Sequence, residues 1–143
     1  MGWSCHASCV ALDGRGVLFR GPSASGKSDI AVRLIDAGAL LVADDRVMLT
    51  VAAGRCLAAP PPAIAGRIEV RGLGIVSLPW RAPVALALIV DLVPAEAVER
   101  LPEPEVREIG GVRLPRLALD PFAASATAKV RLAVRHLAVE RAA

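Results

Sequence analysis

With 143 residues, 55% of them hydrophobic and 22% charged, the chain has the size and apolar content of one domain (residues 1–143) with its own core, which excludes intrinsic disorder. Three cysteines are too few for a disulfide-stapled scaffold, and a net charge of +3 without a basic run or interleaved aromatics excludes a nucleic-acid partner. Mean hydropathy is +0.52, but the longest apolar run, residues 84–93, contains Asp91 and falls short of a ~20-residue span; with no basic leader either, the reading is a cytoplasmic domain with no membrane partner.

Cys5–Leu12 reads as a strand, turned by Asp13-Gly14-Arg15-Gly16 into a second, Val17–Arg20. Cys5 and Cys9 flank His6, but no second ligand pair at zinc spacing follows, so they read as ordinary thiols. A glycine-rich segment, Gly21–Gly26, leads into a helix from about Lys27 to Ala37, with Ile30 and Leu34 on one face and Gly38 placed to end it. Leu40–Ala43 is a short apolar run, as in a strand buried on both faces, and ends in Asp44-Asp45. Val47–Val51 and Arg55–Leu57 form a hairpin around Ala53-Gly54, and Pro60-Pro61-Pro62 ends it. Gly66–Gly72 alternates charged and apolar residues. Val84–Val90 is the best buried strand, Pro94–Val106 a loop with one helical turn, and the last helix runs from about Pro121 to Arg141. Such an order predicts a mixed α/β fold with a parallel unit at its centre.

Gly21-Pro22-Ser23-Ala24-Ser25-Gly26-Lys27-Ser28 is a complete G-x-x-x-x-G-K-[ST] motif between a strand and a helix. Chance gives it in about one shuffled sequence of this composition per thousand. The pattern suits phosphate chemistry. Consecutive backbone N–H groups converge on an anion, the helix start adds its positive dipole end, Lys27 reaches the β- and γ-phosphates, and Ser28 offers a hydroxyl to Mg²⁺.

Phosphoryl transfer also needs an acid near the metal and a base for the acceptor proton. Two apolar strands end in aspartate: Leu40–Ala43 before Asp44-Asp45, and Val84–Val90 before Asp91. The second has the look of an ordinary Walker B strand. The first places two like charges side by side, an arrangement that favours holding a proton and returning it.

The stretch Gly16–Val47, with the P-loop and Leu41-Val42-Ala43-Asp44-Asp45-Arg46-Val47, together with Ile68-Glu69-Val70-Arg71-Gly72-Leu73-Gly74-Ile75, resembles the bacterial HPr kinase/phosphorylase catalytic domain. The resemblance implies a P-loop kinase domain related to phosphoenolpyruvate carboxykinase: a mixed sheet, a central P-loop helix and a C-terminal helix. It implies ATP and Mg²⁺ as cofactors and an HPr-type phosphocarrier protein as partner, phosphorylated on a serine. By the same resemblance His6 is the catalytic histidine, Lys27 and Ser28 keep their phosphate and Mg²⁺ roles, Glu69 is a second Mg²⁺ ligand, and Arg100 is the catalytic arginine. One of Asp44 and Asp45 takes the serine proton; the reading leans to Asp44, with Asp45 nearer the metal and His6.

The chain departs from that pattern in four places. It begins without the family's N-terminal regulatory domain, and Pro22 stands where an aspartate is usual. The loop after Ile75 lacks a glycine/alanine-rich segment, and Leu114–Asp120 replaces the segment tied to phosphorolysis. Kinase chemistry is therefore expected, with phosphorolysis weakened or lost; Arg113 and Arg116 could stand in for the arginine of that missing segment, with plain surface charge as the favoured reading of both. Family members form hexamers, which leaves a homo-oligomer open. The competing readings are a nucleotide-sensing regulatory module and a small-molecule P-loop kinase.

Overall fold

The computed structural model describes residues 2–138. Its first strand, β1 (Gly2–Cys5), pairs with β5 (Val47–Ala52), while the second, β2 (Ser8–Leu12), pairs with β3 (Arg15–Arg20) and β4 (Leu40–Ala43). The single strand expected over Cys5–Leu12 is thus two. The break falls at His6-Ala7, where the Ala7 N–H leaves the ladder and donates to the Asp45 carbonyl at 3.3 Å. That corner turns His6 off the sheet and toward the end of β4.

The remaining elements are α1 (Lys27–Asp36), β6 (Arg55–Ala59), β7 (Arg67–Val70), β8 (Gly74–Ser77), β9 (Val84–Leu92), β10 (Glu105–Ile109), β11 (Val112–Leu119) and α2 (Ala126–Ala133). The main sheet runs β1-β5-β6-β9-β3-β2-β4, with β11 also on β9 and β10 outside β11; β7 and β8 form a separate ribbon. The expected parallel centre is present and larger than expected, since β9 is parallel to both β3 and β11.

Alternation along the central strands separates two cores. Val17 and Phe19 of β3, with Leu88 and Val90 of β9, pack under Ile30 and Leu34 of α1 and Val130 and Val134 near the C-terminus. Leu18 and Ile89 point the other way, against Leu49 of β5 and Ala58 of β6, where Cys9 and Cys56 also lie. Burial pushes both of these thiols up from their ordinary pKa, as fits cysteines that serve as packing.

Two expectations are corrected. The C-terminal helix starts at Ala126 instead of Pro121, because Asp120 is used in a turn: its Oδ1 accepts the Phe122 N–H at 3.0 Å and its carbonyl the Ala123 N–H at 3.3 Å. After Ala133 the helix widens into a π-type turn, Val134–Ala138; the expected residues 139–141 lie outside the described ones. The loop expected over Pro94–Val106 does hold a short helical turn, Ala95–Ala97, but its end opens the β10–β11 hairpin around Gly110-Gly111. Pro115 is tolerated inside β11 because pairing with β9 begins only at Arg116, so its missing N–H removes no bond on that edge.

Candidate functional site

β3 delivers the chain to Gly21, and the next seven residues curl into a cradle. Ala24 (φ 65°) and Gly26 (φ 101°) are left-handed, the alternation that turns successive N–H groups inward. A Cβ on Gly21 would lie 2.5 Å from Ser25 Oγ and 3.2 Å from Ser25 Cβ, so a side chain there would displace Ser25 in the cradle wall. Gly26 caps α1 without a side-chain bond, leaving the first N–H groups of the helix free for an anion. Lys27 is buried, and its ammonium folds back to donate to the carbonyls of Gly21 (2.6 Å) and Pro22 (2.9 Å). Burial pushes the Lys27 pKa down, while the Asp45 and Asp44 carboxylates pull it the other way. Ser25 Oγ is buried with no hydrogen-bond partner, an orphaned donor in the cradle wall that a phosphate oxygen would satisfy.

The two adjacent aspartates meet different surroundings. Asp44, at the end of β4, is 5% exposed. Its Oδ1 accepts the hydroxyls of Ser28 (2.7 Å) and Ser8 (2.8 Å), and its Oδ2 accepts the Glu69 N–H of β7 (3.2 Å). Asp45 takes a left-handed backbone (φ 68°), which swings its side chain out to 74% exposure, 3.1 Å from His6 Nε2. His6, Ser23, Lys27, Ser28, Asp45 and Glu69 line one cavity of about 720 Å³. Asp44 lies behind this wall and holds Ser28, β2 and β7 together.

These oxygen donors fit Mg²⁺. Ser28 and Glu69 line the same cavity, with Asp44 accepting the Ser28 hydroxyl. Mg²⁺ takes few protein oxygens and keeps several waters, so two donors beside a phosphate cradle are sufficient.

The sequence pattern of residues 2–132 matches the family model described as the HPr serine kinase C-terminal domain. The chain belongs to that family. Curated relatives named HPr kinase/phosphorylase include one from Aromatoleum aromaticum, 37% identical over 90% of this chain and 45% of its own length. A second, from Bordetella petrii, is 40% identical over 72% of this chain and 37% of its own. A third, from Clostridium tetani, is 42% identical over 52% and 24% respectively. The chain therefore spans between about a quarter and just under half of these relatives. A solved HPr(Ser) kinase/phosphatase from Coxiella burnetii superposes with a TM-score of 0.86 at 23% identity, over 99% of both chains. The fold is accordingly the P-loop kinase fold related to phosphoenolpyruvate carboxykinase.

Of the residues that the HPr kinase pattern singles out, the structure brings together His6, the Gly21–Ser28 loop, Asp44, Asp45 and Glu69. Arg100 is not among them: it lies in the exposed loop before β10 and lines no part of the cavity, whereas Arg71 does. Asp45 is next to His6, as expected, but Ser28 bonds Asp44 and not Asp45. Asp91, the second candidate acid, is held by Arg20 (2.8 and 3.0 Å) and Arg116 (2.8 Å) away from the cavity. Arg116 also bonds Glu105 at 3.1 Å, so it serves this network and not the site. Sequence reasoning passed over Ser8 and Phe122, which also line the cavity. No local pattern marks either one, since Ser8 matters through a partner 36 positions away.

Proposed function

We propose that this domain transfers the γ-phosphoryl group of ATP to a serine hydroxyl of an HPr-type phosphocarrier protein in the cytoplasm. The observation that carries the reading is the His6–Asp45 pair set on the wall of the same cavity as the phosphate cradle. A P-loop alone supports nucleotide binding; a solvent-facing carboxylate held by a histidine beside it supplies what an incoming hydroxyl needs.

In this reading Asp45 is the base, in place of Asp44. Asp45 is exposed to an arriving side chain, whereas both oxygens of Asp44 are occupied by Ser8, Ser28 and the Glu69 N–H. Asp45 takes the serine proton, and His6 fixes the orientation of its carboxylate. The serine oxygen forms its bond to the γ-phosphorus, the bond to the β,γ-bridging oxygen breaks, and ADP leaves. Lys27 moves from the Gly21 and Pro22 carbonyls to the phosphate oxygens and offsets their growing charge. Ser28 and Glu69 would hold Mg²⁺, which when bound neutralises the phosphates; Asp44 keeps the Ser28 hydroxyl aimed. Arg71 stands on the cavity wall where Arg100 does not, and serves as the cation of the acceptor side.

The reverse, phosphorolytic direction has less support. Leu114–Asp120, which replaces the segment tied to it, runs along β11 to Leu119, and none of its residues lines the cavity.

The test is incorporation from γ-labelled ATP into purified HPr-type carriers. Phosphoserine formation that persists at a low level in Asp44→Asn and disappears in Asp45→Asn is expected. Absence of transfer to any carrier, with MgATP binding retained, would overturn the reading.

A further inference from the structure

The chain has only two phenylalanines, and their surroundings are opposite. Phe19 is fully buried in the core; Phe122 is 70% exposed. An exposed aromatic ring on a surface loop needs no explanation by itself, but this one is anchored and stands on the wall of the phosphate cavity. The Phe122 N–H donates to Asp120 Oδ1, and the preceding Pro121 carbonyl accepts from the Arg33 guanidinium, itself paired with Asp29 on α1. The ring lies against Gly26 so closely that a Cβ on that glycine would come within 3.2 Å of Phe122 Cζ. The turn is therefore fastened to the P-loop helix through Arg33 and packs against its N-cap Gly26, and the ring is left exposed beside the phosphate cradle.

Sheet order tells which end of a nucleotide would meet it. β2 and β4, which carry the His6 corner and Asp44-Asp45, flank β3 on one side. β9 and β11 flank it on the other, and Phe122 follows β11. The P-loop leaves β3 between the two. A triphosphate in the cradle, with its γ-phosphate toward the His6–Asp45 pair, has its nucleoside end on the β11 side.

We propose that Phe122 is the nucleobase platform of this domain, stacking the base of the bound nucleoside triphosphate against its exposed face. The proposal rests on the nucleotide site of the kinase reading and on its placing the γ-phosphate beside the His6–Asp45 pair, and not on the identity of the acceptor. An aromatic face holds any base through its π surface, so the site is expected to select weakly between adenine and guanine nucleotides.

The test compares equilibrium binding of MgATP, MgGTP and tripolyphosphate to the wild type, Phe122→Ala and Phe122→Trp, without any carrier protein. Removing a stacking ring is expected to weaken MgATP and MgGTP by about tenfold each, to leave tripolyphosphate within a factor of about two, and to be restored by Phe122→Trp. The exposed position makes all three proteins comparable in folding, which circular dichroism verifies. Unchanged ATP binding in Phe122→Ala, or equal weakening of ATP and tripolyphosphate, would overturn the platform. Base-dependent loss without phosphate transfer to any carrier would uphold the platform while the kinase reading fell. A wild type that binds none of the three ligands would overturn both.

Discussion

Asp44 and Asp45 are neighbours in sequence, and exchanging each for asparagine should separate a structural carboxylate from a reacting one. In the protein without nucleotide, Asp44 accepts three hydrogen bonds at 2.7, 2.8 and 3.2 Å and is 5% exposed. An asparagine can place its oxygen toward the two hydroxyls only by turning its NH₂ toward the Glu69 N–H, donor against donor. The opposite flip turns the NH₂ toward the two hydroxyls, whose oxygens can accept from it, but the O–H of the fully buried Ser8 then has no acceptor. Either way one buried polar group loses its partner, at a cost of about 2 kcal/mol. In a domain of this size that lowers the melting temperature by roughly 6 °C. Asp45→Asn removes one exposed pair to His6, worth less than about 1 kcal/mol, and asparagine tolerates the left-handed backbone at that position. Its melting temperature should stay within about 2 °C of the wild type, while the loss of the base lowers the transfer rate on the order of 10²–10⁴. The assays are thermal unfolding without nucleotide and single-turnover transfer from labelled ATP. An Asp44→Asn protein as stable as the wild type, together with an Asp45→Asn protein of full activity, would refute the division of roles.

Glu69→Gln, whose side chain is exposed, should leave unfolding unchanged and raise the Mg²⁺ concentration for half-maximal ATP turnover roughly tenfold; an unchanged Mg²⁺ titration would remove Glu69 from the metal site. Gly26→Ala puts a side chain at φ 101° and within 3.1 Å of Pro121 Cγ, so the urea midpoint should fall by an amount equivalent to about 1–2 kcal/mol; a wild-type midpoint would mean the cradle relaxes freely. Burial alone would raise the Asp91 carboxyl, but the hydrogen bonds and charges of Arg20 and Arg116 outweigh it and hold the pKa below the usual range. Its stabilisation is therefore complete above the unfolded value of about 4 and is lost as pH falls below it, so urea unfolding should show an acid loss that Asp91→Asn lacks; identical pH profiles would contradict this.

What could be read from the sequence was what is contiguous in it. The P-loop needs eight consecutive residues, with its strand directly before and its helix directly after; both stand where the pattern put them. The pairing of carboxylates with partners was not readable. Asp44 is defined by Ser8 and Ser28 and Asp45 by His6, contacts that span 36, 16 and 39 positions and depend on one left-handed residue. At Asp120-Pro121 the sequence gives a normal helix-start signal, but the side chain of Asp120 closes a turn instead, and α2 begins only at Ala126. The β10–β11 hairpin did carry a local sign, Gly110-Gly111 between alternating segments, outweighed by the prolines around it.

The placement of the site follows from how the sheet is built around β3. On one edge its neighbours are antiparallel: β2 is a hairpin partner, and β4 joins β2. On the other edge β9 and β11 run parallel to it, so three strands end together beside the P-loop. Parallel strand ends offer backbone and loops that can be fastened to the helix, as the Arg33 bond to the Pro121 carbonyl does. The antiparallel edge offers a chain that must leave the sheet and return, and that departure creates the His6 corner opposite the turn at Asp45. In the proposed reaction, base chemistry, which needs a solvent-facing pair able to meet a second protein, falls on the edge with the corner. Nucleotide binding, which needs a rigid floor, falls on the edge with the aligned strand ends. The cradle at Gly21–Ser28 is where the two edges share one cavity.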